Sequence, residues 1–146
     1  MNMEHNVKKI LIVEDDMALK PIWDKFFGLF SDCIVLEWAV SCEEAIKMVQ
    51  LANEENGEYF LIISDIFLAG SKTGIQLINS DEVRNSGAKK VLISAADRDE
   101  VISKYGQILG DATVISKPFS FKKYNPVFKK ILNGHLVENP QVENEK

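Results

Sequence analysis

Five short runs of large apolar and β-branched residues recur along the chain, and they constrain its fold more than any other feature. They are KKILIV at 8–13, CIVLEW at 33–38, YFLIIS at 59–64, KKVLIS at 89–94 and ATVIS at 112–116. Their apolar residues fall on consecutive positions, which suits strands covered on both faces, as in a parallel sheet. Between the runs the spacing changes to i, i+3, i+4, i+7. Leu19, Ile22, Trp23, Phe26, Phe27 and Phe30 mark a first helix, whose aromatic stripe is read as core rather than as a cofactor contact. Ser41, followed by Glu43 and Glu44, opens a second helix carrying Ala45, Ile46, Met48, Val49 and Ala52. A third starts near Thr73 with Ile75, Leu77, Ile78 and Val83, and a fourth near Asp97 with Val101, Ile102 and Tyr105. A fifth follows Pro118 with Tyr124, Val127, Phe128, Ile131 and Leu132. Asn56-Gly57, Ser86-Gly87 and Gly110 punctuate the joins.

The pattern is (βα)₅, an α/β chain. It predicts a doubly wound parallel sheet with right-handed crossovers and the flavodoxin-like strand order 2-1-3-4-5. Ligands of such sheets sit beyond the carboxyl ends of the strands, where the first and third strands diverge. Residues 8–133 are read as the domain, 1–7 as a leader and 134–146 as a polar, flexible tail.

Charge and composition exclude several function classes. The 146 residues suit one domain, and 17 basic against 22 acidic residues give a net charge of −5. That argues against nonspecific nucleic-acid binding and against docking on anionic membranes. No apolar run approaches the roughly 20 residues that span a bilayer, and MNMEHNVKK has no signal-peptide core. The expectation is a cytoplasmic protein that binds neither DNA nor membrane. Cys33 and Cys42 lack metal-site spacing and are read as reduced, half-buried thiols. His5 and His135 lie near opposite ends, so a zinc site is not expected.

The predicted strand ends gather the polar residues. Strand one runs into Glu14-Asp15-Asp16, strand three into Asp65, strand four into Ser94 and strand five into Lys117-Pro118. Clustered carboxylates repel one another unless a cation joins them. Mg²⁺ takes such oxygen ligands, and a carboxylate beside a metal and an ammonium can accept a phosphoryl group. Asp16 is read as an acidic cap on helix one.

The chain resembles the receiver domain of two-component response regulators, of the stand-alone, single-domain type. The matching pieces are ILIVEDD (10–16), LIISD (61–65) with a short loop to Gly74, VLISA (91–95) and ISKPF (115–119), in the family's order and spacing over about residues 7–133. The resemblance implies that Asp65 is the phosphoacceptor. It implies that Glu14, Asp15, Asp65 and the backbone carbonyl of Phe67 hold Mg²⁺. It implies that Ser94 and Lys117 contact the phosphoryl group, and that the bond before Pro118 is cis. The donor would be a histidine kinase or histidine phosphotransfer protein. The receiver of the signal would be a protein docking on the face of predicted helix four, strand five and helix five. The chain is then a phosphoacceptor and not an enzyme. The alternative is a receiver-like adaptor that binds partners without phosphorylation. A phosphatase reading would want an acid at Phe67, and acids after strand one would repel a flavin phosphate.

Several positions depart from the family. Val114 stands where an aromatic switch is common, and Tyr105 is the candidate substitute. The path from Asp65 to Gly74 takes nine residue steps, one more than the commonest form. Phe67 and Ala96, two beyond Asp65 and Ser94, cannot orient a water, which predicts slow self-dephosphorylation. GSKT (70–73) lacks the upstream glycine of a phosphate-binding loop and is read as a loop with a solvated Lys72.

Overall fold

The computed structural model describes residues 7–30, 33–68, 72–117 and 120–133. Five parallel strands form one sheet in the order β2-β1-β3-β4-β5. They are β1 (Lys8–Val13), β2 (Ile34–Ala39), β3 (Leu61–Asp65), β4 (Lys89–Ser94) and β5 (Thr113–Ser116). The helices are α1 (Lys20–Phe27), α2 (Cys42–Glu54), α3 (Gly74–Ile78), α4 (Asp81–Ser86), α5 (Arg98–Leu109) and α6 (Phe121–Leu132). The (βα)₅ doubly wound architecture and the 2-1-3-4-5 order are as the apolar runs predict.

The strand period of two divides the core between the two faces. On one face Ile10, Ile12, Leu61, Ile63, Val91, Ile93 and Ile115 meet α1 and α6. Trp23, Phe26 and Phe27 pack there as core, as expected, with Phe26 and Phe128 edge-to-face at 5.2 Å between ring centres. On the other face Leu11, Val13 and Ile62 meet α2 and the α3–α4 segment. Leu92 and Val114 meet α5.

Four expectations need correction. The third helix is two: α3 ends at Asn79, and Ser80 starts α4 by accepting from Val83 N–H through its own hydroxyl. Ser80 also donates to Leu77 O, so its side chain competes with the helical ladder and breaks it. Strand two is only partly covered: Val35 is exposed, and Ile34, Leu36 and Trp38 are half-buried. Neither cysteine is half-buried: Cys33 precedes the edge strand and is exposed, while Cys42 begins α2 inside the core. Ile22, counted in the apolar stripe of helix one, also faces outward.

The expected caps are present. Ser41 accepts from Glu44 N–H, Thr73 forms a reciprocal pair with Gln76, and Asp97 accepts from Asp99 N–H. Asp16 caps a short 3₁₀ turn (Met17–Leu19) that leads into α1. The tail, the leader before Val7, Ala69–Ser71 of the loop and the Pro118 bond lie outside the described residues. Lys72 is exposed, as expected. Among the described residues no helix is long and apolar enough to cross a membrane.

Candidate functional site

The carboxyl ends of β1, β3, β4 and β5 bring together Glu14, Asp15, Asp65, Ser94 and Lys117. Parallel pairing does this directly: Val13 lies beside Ser64, Asp65 beside Ile93, and Ser94 beside Ser116. Each polar residue therefore sits at the end of its strand or within two steps beyond it.

Oxygen atoms of Glu14, Asp15 and Asp65 lie within 4.8 Å of one another. Glu14 and Asp65 are buried, at 4% and 6% exposure, whereas Asp15 is open to solvent. Burial, then a hydrogen bond to Asp65 and the charge of Asp65, push the Glu14 carboxyl up to about 8. The Asp16 N–H at 3.1 Å and the Lys117 charge act in the opposite direction and do not cancel this. The metal-free site thus favours the protonated form of Glu14.

Lys117 Nζ lies 3.1 Å from Asp65 Oδ1. Among the described residues Oδ1 is buried with no hydrogen-bond partner. The contact is a charge attraction that leaves the oxygen's lone pairs available. A buried acceptor of this kind, beside two more carboxylates, fits a hard cation with oxygen ligands. The cluster can hold a metal ion.

Ser94 is buried, and its hydroxyl accepts from Ala96 N–H at 2.9 Å. Its carbonyl accepts from Lys117 N–H at 2.8 Å. Phe67 has a 64% exposed side chain at the mouth of the site. It lines a cleft of about 610 Å³ with Ala96, Asp97 and Tyr105. Tyr105 also packs against the cluster that contains the fully buried Val114.

Two contributors escaped the reading of the sequence. Gly74 approaches so closely that a Cβ there would lie 2.2 Å from Asp65 O. Only its place after the strand-three aspartate hinted at this. The Tyr124 hydroxyl accepts from Ser116 N–H at 3.1 Å, beside Lys117. Its helical spacing had marked it as core alone.

The proton on Glu14 gives a testable consequence. Divalent cation binding must displace it, so at pH 7 each Mg²⁺ bound is expected to release up to about one proton. Affinity should rise with pH and level off above the Glu14 value of about 8. Calorimetry in two buffers of different ionisation enthalpy measures the release, and Glu14→Gln should abolish it.

No family model matches the chain, and no curated protein matches it. Solved structures do. A response regulator receiver domain protein from Methanospirillum hungatei is 22% identical, with 88% of this chain and 96% of that one covered at a TM-score of 0.69. A two-component response regulator from Clostridium difficile is 24% identical, with 86% and 96% covered at 0.66. A LuxR-family two-component response regulator from Aurantimonas is 15% identical, with 96% and 95% covered at 0.70. With an acidic trio, a buried serine and a lysine gathered at one edge of its sheet, the chain has the fold of response regulator receiver domains.

Proposed function

We propose that this chain is a receiver domain whose Asp65 accepts a phosphoryl group in a two-component phosphorelay. The observation that carries this reading is the Lys117 ammonium 3.1 Å from an Asp65 oxygen that has no hydrogen-bond partner among the described residues, beside the Glu14–Asp15 pair. The donor is the phosphohistidine of a kinase or phosphotransfer protein. An Asp65 oxygen bonds to phosphorus, the P–N bond breaks, and the imidazole nitrogen leaves with the electron pair. Glu14, Asp15, Asp65 and the Phe67 carbonyl would hold Mg²⁺, which supplies neutralisation of the charge on the transferring group. Lys117 pairs with a phosphoryl oxygen, and Ser94 turns its hydroxyl toward another. The site sits beside the edge built by α5, β5 and α6, where a downstream protein partner would read the change. The chain works in the cytoplasm, as a stoichiometric acceptor rather than an enzyme.

Incubation with Mg²⁺ and acetyl phosphate tests this. Mass spectrometry should find one added phosphoryl group, mapped to Asp65, and none without Mg²⁺. Phe67 and Ala96 offer no side chain to orient a water, so the acyl phosphate should outlast removal of the donor by minutes or longer. A half-life of seconds would overturn the slow-hydrolysis reading. The second reading, an adaptor that works without phosphorylation, is favoured by one observation: Val114 is fully buried, so no aromatic rotates at that position. It predicts no adduct at all.

A further inference from the structure

Successive N–H groups along a strand point to opposite sides in the plane of the sheet. At the end of β5 both directions are occupied. Lys117 N–H donates inward to Ser94 O at 2.8 Å. Ser116 N–H points to the open side, because among the described residues β5 is the sheet's edge and pairs with β4 alone. There it donates to the phenolic oxygen of Tyr124 at 3.1 Å. A phenol stands where the carbonyl of a sixth strand would be.

The placement of that oxygen is determined by burial. Tyr124 is 2% exposed, and its ring belongs to the cluster of Ile115 and Phe128. Lys117, by contrast, is loosely held at its far end, with a side chain 37% exposed. Its stem has four rotatable bonds, so the backbone limits where the ammonium can reach. We propose that Tyr124 is a positioning residue: through Ser116 N–H it fixes the backbone from which Lys117 reaches Asp65, and it ties the docking of α6 to that pair. This rests on the phosphoacceptor reading above. Pro126 sharpens the coupling. It lies within α6 and lacks the N–H that would bond back to the Lys122 carbonyl, so the first turn is joined to the rest by one bond fewer. A partner that shifts this turn shifts the end of β5 with it.

Tyr124→Phe removes only the hydroxyl. Two affinities are measured by titration for the native chain and the variant: Mg²⁺ alone, and beryllofluoride in saturating Mg²⁺. Beryllofluoride, a phosphoryl mimic, needs Lys117, whereas Mg²⁺ needs the acids. The variant should bind beryllofluoride about threefold to tenfold more weakly, the effect of one neutral hydrogen bond. Its Mg²⁺ affinity should stay within about twofold of the native value, since the acids lie on other strands. The Ser116 amide resonance should move as its acceptor is lost. Equal losses in both affinities would mark a general loosening and overturn the inference, as would no loss in either. A native chain that shows no Asp65-dependent response to beryllofluoride overturns the phosphoacceptor reading, and this inference with it.

Discussion

Asp65→Asn will form no adduct with acetyl phosphate or beryllofluoride, and it will be more stable than the native chain. The first half follows from the proposed role of Asp65, since an amide lacks the carboxylate oxygen that would accept the group. The second follows from the electrostatics of the metal-free site. Glu14 is 4% exposed and its carboxyl is held up to about 8 by burial, by its hydrogen bond to Asp65 and by the Asp65 charge. The unfolded chain releases that proton near 4.5. Between these values the native state binds more protons than the unfolded state, so this group's stabilising contribution falls as pH rises. An amide at position 65 removes the like charge and can still donate to Glu14. Lys117 loses its partner, but its side chain is 37% exposed and stays hydrated. The net gain at pH 8 should be about 1–2 kcal/mol, or roughly 3–8 °C in the midpoint. Thermal unfolding without metal measures it. The gain should shrink as pH falls toward and below 4.5, where the unfolded chain also binds the Glu14 proton. A lower midpoint for Asp65→Asn would mean that the Lys117 attraction outweighs the carboxylate repulsion.

What the sequence made legible was local. KKILIV and KKVLIS coincide with β1 and β4, because consecutive apolar residues answer directly to two covered faces. Ser41, Thr73 and Asp97 begin helices because a side-chain oxygen three residues or fewer away satisfies an N–H of the first turn. The strand ends then gathered the candidate residues, since in a parallel sheet every strand brings its last residue to the same edge. The break at Asn79–Ser80 was also written locally. Ser80-Asp81-Glu82 repeats the pattern of Ser41 with Glu43 and Glu44, but Ile75, Leu77, Ile78 and Val83 gave a helical spacing that masked it. The rest depended on distance through space. Nothing near Tyr124 says that its hydroxyl meets Ser116 N–H. Nothing near Glu14 says that Asp65 hydrogen-bonds it and holds its carboxyl up.

Gly74→Ala will lower stability, and it will damage the proposed phosphoacceptor site as well if β3 is the element that yields. Gly74 does not adopt positive φ, so its requirement is one of space. A Cβ would lie 2.2 Å from Asp65 O, 3.0 Å from Asp65 C and 2.8 Å from Ser64 Oγ. The neighbours cannot yield cheaply. Asp65 O already accepts from Ser64 Oγ at 2.8 Å, and Ile66 is tied on both sides, through Ile93 O at 2.9 Å and Gly74 N at 2.7 Å. To admit a methyl group, either α3 must withdraw or the end of β3 must bend. Alanine's higher helix propensity, worth about 1 kcal/mol in a helix interior, offsets little at the first position of α3. A net loss of about 2–4 kcal/mol is expected in chemical denaturation. If β3 bends, Asp65 moves away from Lys117 and Glu14, and adduct formation falls at least about tenfold, as misplacement of a reacting group by a fraction of an ångström commonly costs. If α3 withdraws instead, stability falls while the adduct survives. The two measurements therefore say which of the two elements is the stiffer. The hydrogen bonds that hold β3 on both sides make the helix the one to give only if the loop between them is soft. A variant as stable as the native chain would show that this approach is not rigid.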